Sequence, residues 1–198
     1  ALPISEFLKK NFKGLINTVI ISPRRWGKAS LVHKVAKLIS EEEKDVIICQ
    51  VDIFNCRTEE EFYTVFANSL LKSTTTVWEE FVGGVKKYLG RLAPIVSISD
   101  ATQTYELSFG IEFKDSRLSY DEILDLPQVI ANDTKKRIVV YIDEFQNINE
   151  YEEPLAFQRK LRSHWQKHTS VCYCLYGSKR HMLLNIFNNY GMPFYKFG

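Results

Sequence analysis

The chain has 198 residues, and 26 Lys and Arg against 24 Asp and Glu give it a formal net charge of +2. This balance provides no broad basic field for binding nucleic acid, and a hydrophobic content of 45% excludes a disordered chain. No apolar run reaches the roughly 18 residues that span a bilayer, so we expect a single globular domain without membrane segments, located in the cytoplasm.

The first segment of the chain has a helical pattern, and a strand, a loop and a helix are predicted after it. Apolar residues recur at helical spacing over residues 1–15, and residues 17–22 form an apolar run typical of a buried strand. A tight loop over residues 23–27 then leads to a helix predicted over residues 30–40. The residues expected on the inner face of this helix are Leu31, Val35, Leu38 and Ile39.

A second strand is predicted over residues 46–53, followed by a helix that a capping box from Thr58 to Glu61 opens. A further helical pattern runs from Val77 to Leu89. Polar and apolar residues then alternate across residues 94–114, which predicts an inserted β-hairpin.

The second half continues the alternation of helices and strands. A capping box from Ser119 to Glu122 opens a helix, Pro154 suits the first turn of another, and Gly191 is expected to end the last one. The remaining segments are strands 137–142 and 170–176 and helix 179–190. This order predicts a three-layer α/β fold, with helices on both faces of a parallel central sheet and a ligand crevice at the carboxyl ends of its strands.

The four cysteines lie in predicted strands or at strand ends. They form no CxxC pair, and they are Cys49, Cys56, Cys172 and Cys174. Buried reduced thiols are therefore favoured over a zinc site or a disulfide.

The loop from Ser22 to Ser30 lies where a phosphate-binding loop must lie, between a strand and a helix. Backbone N–H groups and the helix N-terminus would hold phosphates there, while the Lys28 ammonium would reach their outer oxygens. The loop departs from GxxxxGK[ST] at Ser22, in place of the first glycine, and at Ala29, in place of the Mg²⁺-binding hydroxyl. Ser30 lies about 100° further round the helix. An ordinary strand-to-helix turn with a solvated lysine is the alternative.

Two further strands end in polar residues. Asp143 and Glu144 follow an apolar strand, as in a Walker B motif, and alternation would turn one carboxylate toward a metal and the other toward a water molecule. Ser178 follows the last strand. The alternatives are a charged strand end for the acidic pair and a helix cap for the serine.

These segments resemble a known family. Residues 21–31, 140–146 and 176–178 are similar to the archaeal-type P-loop ATPases of the AAA+/STAND group, whose usual loop reads GPRRxGKTSL. The resemblance implies that ATP or ADP binds with Mg²⁺, with Asp143 on the metal, Glu144 as catalytic base and Ser178 as sensor. The nucleotide-binding residues it implies are Pro23, Arg24, Arg25, Trp26, Gly27, Lys28, Ala29 and Ser30.

The resemblance also implies that the α/β fold, with its parallel central sheet and inserted β-hairpin, is a three-layer P-loop NTPase sandwich. It implies a longer protein as well. Residues 1–198 would be its ATPase core, and a helical lid and C-terminal domains are expected beyond Gly198. Self-contact or homo-oligomer formation, and any binding of nucleic acid, would involve those absent regions.

The sequence thus predicts an ATP-binding domain whose Mg²⁺-dependent hydrolysis acts as a conformational switch. The alternative is a degenerate nucleotide-binding or scaffold module that does not hydrolyse ATP, because Ser22 and Ala29 depart from the motif. A small-molecule kinase is disfavoured, since Glu144 directly after Asp143 suits the activation of water.

Overall fold

A computed structural model describes residues 3–23, 25–78, 93–98, 105–110 and 119–198. In chain order the elements are α1 Ile4–Lys13, β1 Thr18–Ile20, α2 Lys28–Glu42, β2 Val46–Asp52, α3 Glu59–Trp78, β3 Ala93–Ile98, β4 Tyr105–Gly110, α4 Tyr120–Thr134, β5 Arg137–Asp143, a 3-10 helix Phe145–Glu150, α5 Pro154–Trp165, β6 Val171–Tyr176 and α6 Arg180–Asn188. No helix in this described part is both long and apolar enough to cross a membrane.

Four strands form one parallel sheet in the order β1-β6-β5-β2. Strand β6, which corresponds to the predicted strand 170–176, lies between β1 and β5. Residues 138–142 of β5 are all buried, because β5 lies inside the sheet and helices cover both of its faces. All four strands run the same way, so their carboxyl ends meet at one edge of the sheet.

The helices form one layer on each face of the sheet, which confirms the three-layer α/β fold. Helices α1 and α2 pack on one face, against a cluster that includes Val139 and Tyr141. Helices α3, α4, α5 and α6 pack on the other, against Ile138, Val140 and Ile142. Alternation along β5 separates these two sets of side chains.

The buried face of α2 differs from the predicted one. The buried residues of α2 are Val32, Val35, Ala36 and Ile39. Leu38 is 36% exposed and Leu31 is only partly buried. The prediction placed the helix start two residues too late, and two of the four residues it placed on the inner face, Leu31 and Leu38, are not among the buried ones.

Several predicted boundaries are corrected in the same way. Strand 17–22 is limited to Thr18–Ile20, and helix 179–190 to Arg180–Asn188. The last helix is capped at its end by Asn189, so Gly191 is not its terminator. The helix predicted from Val77 to Leu89 lies mostly outside the described residues.

The inserted hairpin is present where the structure describes it. Strands β3 and β4 pair antiparallel, from Ala93 opposite Gly110 to Ile98 opposite Tyr105. The turn and the predicted continuation to residue 114 lie outside the described part.

Helix starts follow the capping pattern with one variation. Ser119 and Glu122 form the complete predicted capping box of α4. At α3 the Thr58 hydroxyl accepts the Glu61 N–H at 3.2 Å, as predicted, but the Glu61 carboxylate accepts the N–H of Arg57 at 2.6 Å. The four cysteines are free and buried, as predicted.

Candidate functional site

The predicted phosphate loop turns into α2 through a left-handed residue. Gly27 is the N-cap of α2 with φ of 69°, a conformation that glycine adopts without a steric cost. A Cβ on Gly27 would meet nothing within 4 Å, so the backbone angle is what favours glycine here. Helical bonding begins with the Leu31 N–H donating to the Gly27 carbonyl at 2.8 Å. The amides before Leu31 therefore face out of the helix end, where an anion would accept from them.

The Lys28 side chain folds back along the loop. Its ammonium donates to the carbonyl oxygens of Ser22 at 3.1 Å and Pro23 at 2.8 Å. These bonds hold the cation against the loop that precedes α2. The Ser22 hydroxyl, at the position of the first glycine in the GxxxxGK[ST] motif, is buried and has no hydrogen-bond partner among the described residues.

Asp143 ends β5 and lies in register with Asp52 at the end of β2. Its Oδ1 accepts the Glu144 N–H at 2.8 Å. Burial raises the pKa of Asp143 above its ordinary value, and the neighbouring charges of Glu144 and Asp52 act in the same direction. A cation bound at this carboxylate would favour its charged form.

Glu144 has a left-handed backbone, with φ of 55° and ψ of 36°, between β5 and the 3-10 helix. Its Oε2 accepts hydrogen bonds from the Ser178 N–H at 3.2 Å, the Ser178 hydroxyl at 2.9 Å and the Gln146 side-chain amide. Ser178 is therefore not the cap of α6, where the N-cap is Lys179 with no side-chain hydrogen bond. It binds the predicted catalytic base instead.

One cleft of about 730 Å³ brings most of the predicted residues together. It is lined by Arg25, Trp26, Gly27, Lys28, Ala29, Ser30, Asp143, Glu144, Tyr176, Gly177 and Ser178. Pro23 does not line it, although its carbonyl holds Lys28. Arg24 lies outside the described residues. The roles of all these residues stay predictions.

Sequence reasoning assigned no role to Gln146 or Gly177, which surround Glu144. Both stand inside the motif segments, but their importance depends on a 3-10 turn that brings the Gln146 amide back to Glu144. The period of apolar residues does not reveal such a turn. The signal in the sequence was a polar residue shortly after an apolar strand, and the structure shows that this residue is fully buried.

Solved structures share this fold. A Walker-type ATPase of Pyrococcus abyssi matches with a TM-score of 0.59 and 15% identity, over 98% of this chain and 50% of that chain. The ORC2 protein of Aeropyrum pernix, solved as ADPNP and ADP complexes, matches with a TM-score of 0.53 and 14% identity, over 92% and 42%. Cdc6p from Pyrobaculum aerophilum matches with a TM-score of 0.54 and 13% identity, over 100% and 45%.

At these identities the likeness shows the fold alone, and the chain spans half or less of the length of these structures. Among curated protein sequences the chain finds no match.

A family defined by sequence also covers the site. The family described as the KAP family P-loop domain matches residues 26–153, more than half of the chain. The matched span contains Lys28, Asp143 and Glu144. The STAND subgroup suggested by the sequence is not part of this finding and stays a prediction. The chain belongs to the KAP family of P-loop domains.

Proposed function

We propose that this domain binds ATP with Mg²⁺ and hydrolyses it, and that the cycle acts as a conformational switch. The observation that carries the proposal is the single cleft in which three elements meet. The start of α2 contributes Lys28, the end of β5 contributes Asp143 and Glu144, and the loop after β6 contributes Ser178. A cation, an exposed helix N-terminus and two carboxylates are the groups that phosphoryl transfer requires.

The residues of the cleft fit Mg²⁺ through their oxygen atoms. Mg²⁺ prefers oxygen ligands, keeps several waters and needs only one or two carboxylates besides the phosphate oxygens. Asp143 supplies one carboxylate, and Ser30 lines the same cleft with a hydroxyl. When bound, the ion would neutralise the charge on the phosphates.

In the proposed reaction the amides of α2 and Lys28 would hold the β and γ phosphates. Glu144 would accept a proton from a water molecule whose oxygen attacks the γ phosphorus, giving ADP and phosphate. Its Oε1 accepts no hydrogen bond from the described residues, whereas Oε2 is occupied by Ser178 and Gln146. Oε2 of Glu144 is thus held by hydrogen bonds, and Oε1 remains available to the attacking water molecule.

A second candidate function is nucleotide binding without hydrolysis. Ala29 lines the cleft where the motif places a metal-binding hydroxyl, and a methyl group cannot bind Mg²⁺. Under this proposal the chain would bind ATP or ADP and use the bound nucleotide only as a structural ligand.

The test compares the wild type with Glu144→Gln in two assays. We expect Mg²⁺-dependent phosphate release to fall by about 10²–10⁴-fold, because the amide cannot accept the proton. Calorimetry should give a nearly unchanged ATP affinity, because the shape of the side chain is kept. A wild type that binds ATP without releasing phosphate would support the second candidate, and one that binds no nucleotide would refute both.

A further inference from the structure

We propose that Gln146 is a positioning residue that holds Glu144 in place, and that residue 177 is glycine because the Gln146 side chain fills the space beside it. The kinetic part of this inference rests on the proposed ATP hydrolysis. The structural part stands without it.

Glu144 needs such support because its backbone is in a region that side chains other than glycine rarely adopt. A residue of this kind persists where its surroundings hold it. The Glu144 carbonyl accepts the Asn147 N–H at 2.9 Å. The carboxylate Oε2 of Glu144 accepts two hydrogen bonds from Ser178, in the loop after β6, and one from Gln146, in the 3-10 helix. Together these bonds fix both the backbone and the side-chain orientation.

The side-chain amide of Gln146 has two N–H donors, and both are used. One donates to Glu144 Oε2 and the other to Asn147 Oδ1 at 3.3 Å. The Gln146 side chain is completely buried, and within the described part of the chain its Oε1 has no hydrogen-bond partner. An unpaired buried oxygen opposes folding, so a residue selected only for packing would be apolar at this position.

Gly177 faces this amide from the end of β6. A Cβ at residue 177 would overlap Gln146 Oε1 and lie 3.2 Å from the Cα of Glu144. The φ of Gly177 is not in the left-handed region, so its backbone angle does not require glycine. Residue 177 must be glycine to leave space for Gln146 and Glu144, whereas Gly27 is favoured by its backbone angle.

The arrangement is anchored to a third strand. The Asn147 side-chain amide donates to the carbonyl of Phe54 at 3.1 Å, in the loop after β2. Glu144 is therefore tied to β6 through Ser178 and to the β2 loop through Gln146 and Asn147. A shift of either strand end would be transmitted to the proposed base.

The structural part is tested by combining two substitutions and measuring thermal unfolding. Gly177→Ala in the wild-type background should lower the Tm by roughly 3–10 °C, because the methyl group meets Gln146. In a Gln146→Ala background the same substitution should lower the Tm much less, because the obstructing amide is gone. An equal loss in both backgrounds would show that Gln146 does not impose the glycine and would overturn this part.

The kinetic part compares Gln146→Met with Gln158→Met. Gln158 is also fully buried, and no described residue donates to its Oε1. Its amide donates to Asn149 at 2.7 Å, and it lies outside the cleft. Gln146→Met should lower kcat roughly 10-fold to 100-fold with KM little changed, because the base is displaced while the nucleotide site remains. Gln158→Met should lower the Tm but keep kcat.

The two failures are distinguishable. A wild type that hydrolyses ATP while Gln146→Met keeps its kcat would overturn the positioning role and leave the proposed function intact. A wild type without hydrolysis would refute the proposed function, and the inference would then be decided by the unfolding experiment alone.

Discussion

Lys28 is the one described lysine that lines the cleft. Its ammonium donates to two carbonyl oxygens of the loop before α2, and the start of α2 lines the same cleft. We expect Lys28→Ala to weaken ATP binding by about 1–3 kcal/mol, the contribution of one charge-assisted contact. Isothermal titration calorimetry with ATP and Mg²⁺ measures this difference directly.

Lys34→Ala is the matched control for this prediction. Lys34 is an exposed lysine of the same helix and lies outside the cleft, so its loss changes the net charge equally. An affinity loss shared by both variants would point to general charge and would contradict a specific contact of Lys28.

Ala29 carries the second residue-scale prediction. A hydroxyl introduced at the first turn of α2 would lie beside the proposed phosphates and give Mg²⁺ one more protein oxygen. Ala29→Thr should therefore raise Mg²⁺-dependent ATP affinity or turnover. The measurement is the ATP affinity and phosphate release of each variant with Mg²⁺ and with excess EDTA.

Ala29→Val provides the comparison, because valine has the shape of threonine without the hydroxyl. The threonine variant should have a higher ATP affinity or turnover than the wild type only in the presence of Mg²⁺. The valine variant should show no such increase. If both behave alike, metal binding does not depend on this hydroxyl and Ala29 does not explain a loss of activity.

At the scale of the elements, α4 owes its start to one residue. The Ser119 hydroxyl accepts the Glu122 N–H at 3.3 Å, and the Glu122 carboxylate accepts the Ser119 N–H at 2.8 Å. Ser119→Ala removes the first of these bonds and should lower the free energy of unfolding by about 0.5–2 kcal/mol in a urea titration. Ser119→Asp, which keeps an acceptor at the N-cap, should stay close to the wild type. A large loss in the aspartate variant would mean that capping is not the reason.

The elements that sequence predicts best are those governed by local physics. Strand β5 was predicted because a buried central strand is a continuous apolar run, and the start of α5 because Pro154 fits a first helical turn. The early start of α2 escaped prediction, because it depends on the left-handed angle of Gly27. The 3-10 helix after β5 was not predicted, because its apolar residues have no periodic spacing of their own.

The candidate site likewise has residues that the sequence predicts and contacts that it does not predict. Lys28, Asp143 and Glu144 follow from strand-loop-helix order and residue type, and the cleft contains all three. That Ser178 binds Glu144 could not be predicted, because it depends on how β6 and β5 are aligned. The contacts of Gln146 and Gly177 likewise arise between strand ends that are distant in sequence.

At the scale of the whole molecule, an aromatic cluster joins the larger helical layer to the sheet. Trp165 at the end of α5 stacks on Tyr173 of β6 with ring centroids 4.2 Å apart. Phe194 and Phe197 close the cluster from the C-terminal segment, and the Arg162 guanidinium lies 4.9 Å from the Phe197 ring centroid. The C-terminal segment is thus part of the core.

A buried histidine lies at the margin of this cluster. The side chain of His168 is 2% exposed, its Nδ1 is 2.8 Å from the Tyr173 hydroxyl and its Nε2 is 3.3 Å from Asp125 Oδ1. A neutral ring protonated on Nε2 satisfies both contacts, by accepting from the tyrosine and donating to the carboxylate. Burial lowers the pKa of His168 below its ordinary value, Asp125 opposes this shift, and the charges of His164 and Lys167 reinforce it.

This shift makes the stability of the whole fold dependent on pH. Between the lowered pKa of folded His168 and the unfolded value near 6.5, the unfolded chain binds more protons, so stability rises with pH. The contribution is complete above the unfolded pKa and is lost as the pH falls through the folded one. We therefore expect the free energy of unfolding, measured by urea titration, to fall more between pH 7.5 and pH 5.5 in the wild type than in His168→Gln. The difference should be about 1.4 kcal/mol for each unit of pKa shift within that interval.

His181→Gln separates this effect from the loss of any histidine. His181 is exposed on α6, so His181→Gln removes a histidine without altering the buried contacts of His168. Carboxylates that do not contact His168 contribute to all three proteins and cancel in the comparison. If His168→Gln retains the full wild-type slope, protonation of His168 does not oppose folding, and the acid sensitivity of the molecule must originate elsewhere in its charged groups.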